Sequence, residues 1–139
     1  MGDDNKTLPP GRSAQFMLKE LLKGDPQTTF PRILNAKAVE KEMEMVRLLI
    51  EPGAFWIVSC ATVEQVAPDA PEALWNAFRE FAGKGGAKIV VATKNAYVAA
   101  CMRAAAKDAR NVDLRVVAEY KDALALRKAH DEKRPKKQT

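Results

Sequence analysis

The sequence has few of the side chains on which most enzyme chemistry depends. Its 139 residues include a single histidine, His130, and two cysteines, Cys60 and Cys101. Because the histidine lies near the end of the chain, no Ser-His-Asp triad, Cys-His pair or histidine metal site is available in the body. Asp69, Asp108 and Asp113 are dispersed between different predicted loops, so no carboxylate pair suited to acid–base work is evident. We therefore expect a protein without catalytic activity, with no metal site and no cofactor.

Long apolar runs are also absent. No run approaches the roughly 20 residues needed to span a bilayer. The polar start Met-Gly-Asp-Asp-Asn-Lys does not resemble a secretory signal. Two cysteines without disulfide or metal-ligand spacing are typical of free thiols in a reducing compartment. These features predict a cytoplasmic protein with no membrane span and with both thiols buried.

The net charge of +5 is concentrated at one end. Seven basic and three acidic residues lie from Lys121 onward, so residues 1–120 carry a net charge of only +1. We interpret residues 129–139 as a basic, disordered tail, because such ends are usually solvated. A nearly neutral body argues against nucleic acid as the main partner. The alternative function, nucleic-acid binding, would use this tail together with Lys84, Lys88, Lys94 and Arg103.

Strands are indicated by short apolar runs. Such runs predict strands at residues 54–58, 88–92 and 114–118, and the first is a continuous apolar run of the kind buried on both faces of a parallel sheet. Residues 28–34 form a further extended segment. Pro31 lies within it and restricts that segment to a sheet edge, because proline cannot donate a backbone hydrogen bond.

Helices are predicted by apolar residues that recur at three- and four-residue spacing. They cover residues 36–49, 72–82, 95–107 and 121–128. Asn35 is the expected N-cap of the first. The second is expected to bury Leu74, Trp75, Phe78 and Phe81, and the third Val98, Cys101, Met102 and Ala105. The alternation predicts an α/β fold with a mostly parallel or mixed sheet of four to five strands and helices packed on it.

The length of the chain predicts one domain. Residues 1–13 are polar and contain Pro-Pro-Gly, which indicates a flexible N-terminal segment. Residues 14–128 are predicted to form the domain. The type of its first element stays undecided, because the sequence suits either a short helix capped by Ser13 or an edge strand over 15–18.

The stretch from Val63 to Trp75 joins the strand at 54–58 to the next helix. In α/β sheets, ligands and modifications gather at such carboxyl ends of strands, beside helix N-termini. The stretch contains no serine, cysteine, histidine or lysine, and Asp69 is the ionisable residue at the start of the helix. Switching by serine phosphorylation is therefore excluded at the turn itself.

Two further loops have both a binding and a structural interpretation. Gly83-Lys-Gly-Gly has the composition of a phosphate loop, but it follows a helix and precedes a strand, the reverse of the required order. We interpret it as a helix stop. Thr93-Lys-Asn follows a strand, and we expect Thr93 or Asn95 to be an N-cap, with Lys94 exposed beside it. A small-molecule or nucleotide sensor at this helix N-terminus is the second alternative function.

The order of elements from about Leu34 to Leu126 resembles the STAS domain, the sulfate-transporter and anti-sigma-factor-antagonist module. The resemblance rests on the strand at 54–58, the turn at 63–71, the helix with Trp75, the strand Gly85-Gly-Ala-Lys-Ile-Val-Val, the helix at 97–102 and the ending Tyr120-Lys-Asp-Ala-Leu-Ala-Leu. It covers about two-thirds of the chain. The resemblance implies a STAS-like α/β domain that regulates by binding protein partners.

In phosphorylatable members of that family the turn reads Asp-Ser-Ser-Gly, and a kinase partner phosphorylates a serine. The corresponding residues here are Ala67, Pro68, Asp69 and Ala70. Asp69 would thus be a permanent, partial mimic of phosphoserine. The simpler interpretation is that Asp69 caps the following helix, with Pro71 in its first turn and Glu72 favourable to the helix dipole. Ser59 and Thr62, just before the turn, are weaker candidates for phosphorylation.

The resemblance and the position at a strand end together predict a non-catalytic protein–protein interaction domain in a bacterial-type regulatory or signalling assembly. The predicted contact surface combines the turn, the following helix and the neighbouring loop: Asp69, Glu72, Asn76, Arg79, Thr93, Lys94 and Asn95. The partner and the oligomeric state stay open, and a homo-oligomer is compatible with this prediction.

Overall fold

The computed structural model describes residues 25–109 and 112–133 and arranges them in layers. The strands are β1 (Gln27–Thr29), β2 (Ile33–Leu34), β3 (Phe55–Ser59), β4 (Gln65–Val66), β5 (Lys88–Ala92) and β6 (Leu114–Val117). The helices are α1 (Ala36–Leu49), α2 (Ala70–Gly83), α3 (Ala96–Ala109) and α4 (Tyr120–Lys133). The helix or strand expected near the N-terminus, within 13–23, lies outside the described residues.

Four parallel strands form the central sheet in the order β1-β3-β5-β6. The predicted α/β fold is thereby confirmed, and its three apolar strands agree with β3, β5 and β6 to within one residue at each end. The extended segment expected at 28–34 is divided in two. Its first part joins the described sheet as edge strand β1, and its second part, β2, pairs with β4 in a separate two-stranded sheet. Pro31 lies between them, outside both strands.

Helices α1, α2 and α3 pack on one face of the sheet, and α4 packs on the other. This follows when successive parallel strands advance in one direction, because right-handed crossovers then lie on the same face. The larger core, under α1 to α3, contains Trp56, whose ring lies 5.9 Å from that of Phe78 and 5.2 Å from that of Phe81. The indole N–H donates to Thr28 Oγ1 (2.9 Å), which satisfies the polar group of the ring.

Helix α4 closes the opposite face over a smaller core. That core consists of Phe55, Ile57, Val90 and Ala123. The helix is also held by polar contacts to the start of β1. Arg127 Nε donates to Asp25 Oδ2 (3.1 Å), and the Tyr120 hydroxyl donates to Gln27 Oε1 (2.6 Å).

The C-terminal helix is longer than the sequence predicted. It continues to Lys133, beyond the expected end at Lys128. His130 accounts for part of this extension, because its ring packs on Phe55 at 5.2 Å and its Nε2 lies 3.2 Å from the Gly53 carbonyl oxygen. The boundary predicted at 129 is therefore too early, and residues 129–133 belong to the folded domain. Residues 134–139 lie outside the described part.

The N-cap predicted for α1 is confirmed. Asn35 Oδ1 accepts a hydrogen bond from the Ala38 N–H (2.8 Å). On the exposed side of the helix, Arg47 contacts Glu40 and Glu80 at 2.7 Å each, which joins α1 to α2. The Arg47 guanidinium lowers the pKa of both carboxyl groups, and the pair in turn raises the pKa of Arg47.

Candidate functional site

The predicted site residues follow the carboxyl ends of the parallel strands. Strands β3 and β5 end at Ser59 and Ala92, and the loops that follow lead into helices α2 and α3. Because all strands of the sheet run in one direction, these loops and the helix N-termini share one edge of the molecule, here named the carboxyl edge. This edge is where an α/β domain usually places its functional groups.

Asp69 lies directly before α2, but its side chain does not cap that helix. Its backbone is already helical (φ −88°, ψ −4°), whereas a residue whose side chain caps its own helix is normally extended. Asp69 Oδ1 instead accepts a hydrogen bond from the N–H of Ala36, the first residue of α1 (3.0 Å). The capping prediction was therefore wrong about which helix is capped. Pro71 and Glu72 do lie in the first turn of α2, as expected.

We expect Asp69→Ala to lower the free energy of unfolding by about 1 kcal/mol, because an amide at the start of α1 loses its acceptor. Asp69→Asn should cost less, since the amide side chain keeps an oxygen at the same place. Chemical denaturation measures both changes. Glu72→Ala is the matched control, because the Glu72 side chain is exposed and makes no hydrogen bond among the described residues. Equal losses for Asp69→Ala and Glu72→Ala would contradict the bond to Ala36.

The loop at 93–95 is largely occupied by helix capping, as predicted. Asn95 Oδ1 accepts hydrogen bonds from the N–H groups of Tyr97 (2.9 Å) and Val98 (3.1 Å). Buried Thr93 accepts the Asn95 N–H (3.1 Å). Lys94 is exposed and lies 3.3 Å from Glu119, in the loop that follows β6. Most donors that could bind an anion at the start of α3 therefore already have partners.

The loops after β5 and β6 diverge, because α3 and α4 lie on opposite faces of the sheet. Such a divergence leaves a crevice in doubly wound α/β folds. A crevice of about 390 Å³ is found here, lined by Ala61, Ala92, Lys94, Ala118, Glu119 and Tyr120. Half of its lining residues are alanines, and its charged groups, Lys94 and Glu119, already pair with each other. It has the volume to hold a small molecule but offers no strong recognition group.

The outward side of α2 carries four residues that we name the α2 stripe: Glu72, Trp75, Asn76 and Arg79. The Arg79 guanidinium lies 4.5 Å above the Trp75 ring. Among the described residues, Glu72, Asn76 and Arg79 make no side-chain hydrogen bond or ion pair. Glu80, on the same helix, is by contrast paired with both Arg47 and Lys84. The α2 stripe therefore has an aromatic residue and two charges that lack an ionic partner in the described chain.

A groove of about 630 Å³ runs beside this stripe, between α2 and α3. Its lining residues are Pro71, Glu72, Trp75, Cys101, Ala104, Ala105 and Asp108. Trp75 and Cys101 were both expected to be buried, and both are only half-buried. Each lies at the margin of the apolar side of its helix, where periodicity alone does not separate core from groove.

The two cysteines are free thiols with different surroundings. Cys60 is buried, as expected, and burial raises the pKa of its thiol to about 12. Cys101 is half-buried, and a hydrogen bond with it raises the pKa of the exposed Tyr97 hydroxyl. The expectation of two buried thiols is therefore correct for Cys60 only.

The remaining predicted groups are dispersed. Ser59 is half-buried at the end of β3, and Thr62 is exposed in the turn that follows. No cluster of three or more potential metal ligands occurs among residues 25–109 and 112–133. Within the same ranges no helix combines the length and the apolar character required to traverse a bilayer.

Comparison with known proteins adds no relative. Family models, curated proteins and solved structures yield no match to this chain. The resemblance to the STAS domain therefore stays a prediction that rests on the order of elements and the turn at Asp69.

Outside the tail, three of the four basic residues proposed for nucleic-acid binding pair with carboxylates. Lys84 lies 3.1 Å from Glu80, Lys88 lies 3.7 Å from Asp113 and Lys94 lies 3.3 Å from Glu119. Only Arg103 of this set is exposed with no ion pair among the described residues. A phosphate backbone would have to compete with these carboxylates, so the described body offers little positive charge for it.

Proposed function

We propose that this chain is a non-catalytic protein–protein interaction domain of a regulatory or signalling assembly, and that the α2 stripe is its contact surface. The observation that carries the proposal is the stack of Arg79 on half-buried Trp75, beside Glu72 and Asn76, which have no partner among the described residues. Tryptophan and arginine are the residue types most enriched where interfaces gain their energy. The adjoining groove between α2 and α3 adds apolar surface that a partner could cover.

The contact surface proposed here is narrower than the surface predicted from the sequence. Asp69 is engaged with α1, Asn95 and Thr93 are engaged in caps, and Lys94 is paired with Glu119. A partner would have to break these contacts to use those side chains. Glu72, Asn76 and Arg79 carry no such cost, so the proposal places binding on α2 and assigns Asp69 a stabilising role.

Affinity capture with quantitative mass spectrometry tests this assignment. The bait is the whole chain, compared with Arg79→Glu and with Lys128→Glu, which makes the same charge change on α4 at the opposite face of the sheet. We expect specific proteins to be retained by the original chain and by Lys128→Glu, and to fall at least about fivefold with Arg79→Glu, since truncating or reversing an interface arginine commonly costs over 1 kcal/mol.

Asp69→Asn supplies a second comparison. It should retain capture while losing some stability, because its carboxylate contacts α1 rather than a partner. Equal capture by Arg79→Glu and Lys128→Glu would overturn the proposed surface. If Asp69→Asn lost capture while Arg79→Glu retained it fully, the contact surface would instead lie at the turn around Asp69.

A second candidate function is small-molecule binding in the crevice between the loops that follow β5 and β6. The crevice itself favours it, since its position is the usual ligand site of this architecture. A thermal-shift series with mononucleotides and small carboxylates tests it. A rise in melting temperature that Lys94→Ala removes would support this function, and no rise with any compound would count against it.

A further inference from the structure

The charges of the α2 stripe are arranged so that the stripe is complementary to itself. Glu72 and Arg79 are seven residues apart, so their α-carbons lie on the same side of α2, about 10.5 Å apart along its axis. Trp75 and Asn76 occupy the midpoint between them. Consider a two-fold axis that runs perpendicular to α2 and passes beside the stripe at the level of Trp75 and Asn76. This axis places the acidic end of one stripe against the basic end of the stripe on a second copy. Glu72 of one copy then faces Arg79 of another, and the contact occurs twice.

We propose that the α2 stripe binds a second copy of this chain, as an antiparallel pair of α2 helices about such a two-fold axis. This inference rests on the proposed function, since it assigns the partner of the same surface. Two-fold dimers are the commonest oligomers, and they require that the contact patch be its own complement. The four residues of the stripe, Glu72, Trp75, Asn76 and Arg79, form a patch that meets this requirement.

The middle of the stripe fits the same arrangement. Trp75 and Asn76 lie on either side of the line joining Glu72 to Arg79, with Trp75 toward the groove between α2 and α3. About this two-fold axis, the Trp75 side of one stripe lies against the Trp75 side of the other. The two Trp75 rings therefore meet near the axis, and the two Asn76 amides meet on the other side of the stripe. Aromatic rings attract one another, and an amide can both donate to and accept from its own copy.

The Trp75 ring is already positioned before it is covered. The Arg79 guanidinium holds it at 4.5 Å, so little side-chain freedom is lost when a second copy packs on it. A large aromatic residue at the centre with a polar rim around it is the usual anatomy of an interface. The stripe therefore combines an aromatic residue at its centre with a charge pattern that fixes the direction of the pairing.

The neighbouring helix permits close approach. The antiparallel pairing places the two grooves on the same side of the dimer, so α3 of one copy lies toward α3 of the other. Of the four α3 residues that line the groove, Cys101, Ala104, Ala105 and Asp108, two are alanines, so the side chains of α3 beside the stripe are mostly short. A parallel pairing is disfavoured by the stripe itself, because Glu72 would then face Glu72 and Arg79 would face Arg79.

Charge reversal tests the pairing. Sedimentation equilibrium of the original chain, Glu72→Arg, Arg79→Glu and an equimolar mixture of the two variants gives the dissociation constant of each. In either variant alone, both contacts become repulsive, and we expect the dissociation constant to rise at least about tenfold. In the mixture, one end joins the two introduced charges, which are opposite, and the other end keeps the original Glu72–Arg79 pair. Association should therefore return as a heterodimer.

Lys128→Glu and Glu132→Arg, on α4, are the matched controls for the two charge reversals. Both positions are exposed on the face of the sheet opposite α2, so both variants should leave the dissociation constant unchanged. Circular dichroism confirms that each variant is folded, which we expect because Glu72 and Arg79 are exposed as well.

Three outcomes overturn the inference. The original chain could remain a monomer at every concentration, the single variants could associate as well as the original, or the mixture could associate no better than its components. The proposed function is judged separately by partner capture: a monomeric chain whose capture of another protein still depends on Arg79 would retain that function with a different partner.

Discussion

Asp25→Ala is expected to lower the free energy of unfolding by about 3 kcal/mol, because the substitution removes one carboxylate that serves two elements. The side chain is buried, with 6% of its surface exposed. Its Oδ1 accepts the Phe55 N–H at the start of β3 (3.0 Å), and its Oδ2 pairs with Arg127 of α4 (3.1 Å). Without it, a buried backbone donor and a largely covered guanidinium both lose a partner. Urea denaturation followed by circular dichroism measures the loss.

Two variants separate the contact of Asp25 with Phe55 from its contact with Arg127. Asp25→Asn keeps an oxygen for the Phe55 N–H but removes the charge opposite Arg127, so it should cost less than alanine. In an Arg127→Ala background, Asp25→Ala should cost less than it does alone, because one of its contacts is already gone. Glu44→Ala, an exposed position on α1, sets the background effect. A loss from Asp25→Ala no larger than that background would contradict the anchoring of α4 through this residue.

The central part of the fold was predictable because its signals are local. Apolar runs mark β3 and β5, since strands covered by helices on both faces have no polar side to alternate with. In β6 the apolar residues are interrupted by the exposed Arg115. Helix α1 was equally clear, because Asn35 caps it and its apolar residues recur with helical spacing. The end of α4 was missed for the opposite reason. The last turns of α4 are held by contacts of His130 with Phe55 and Gly53, which are distant in sequence. These turns are themselves rich in charged residues.

The candidate site was predictable in position but not in detail. The sequence identified the turn at Asp69 and the helix that follows it, because the carboxyl ends of parallel strands are known locations for function. It could not identify the acceptor role of Asp69 toward Ala36, since a contact across 33 residues leaves no local pattern. The pairing of β2 with β4 explains that contact, because these strands directly precede α1 and α2 and bring the starts of both helices together. The exposure of Trp75 was missed as well, because a tryptophan in a helical pattern is ordinarily assigned to the core.

The glycines after α2 are explained by local structure and not by phosphate binding. Gly83-Lys-Gly-Gly has the residues of a phosphate loop, but packing and backbone conformation account for the glycines that are required. Gly85 has φ +99°, a backbone conformation that residues with a side chain rarely adopt. Gly86 lies against the ring of Phe81, and Gly83 has open space around it. The loop is thus a helix stop, as the order of elements predicted.

Gly86→Ala is expected to lower the free energy of unfolding by about 2–3 kcal/mol through overpacking. A Cβ at this position would lie 2.3–2.5 Å from three ring atoms of Phe81. Phe81 is only 1% exposed and packs on Trp56, so its ring cannot move away without disturbing the larger core. Thermal and chemical unfolding measure the effect.

Gly83→Ala is the matched control, because nothing lies within 4 Å of the added carbon. It should be neutral or slightly stabilising, since alanine is the better residue at the end of a helix interior. Phe81→Leu should reduce the cost of Gly86→Ala in the double variant, because a smaller side chain leaves room for the new methyl group. If Gly86→Ala and Gly83→Ala unfold alike, the close approach to Phe81 is not what requires glycine at this position, and a role for the loop beyond ending α2 would have to be sought.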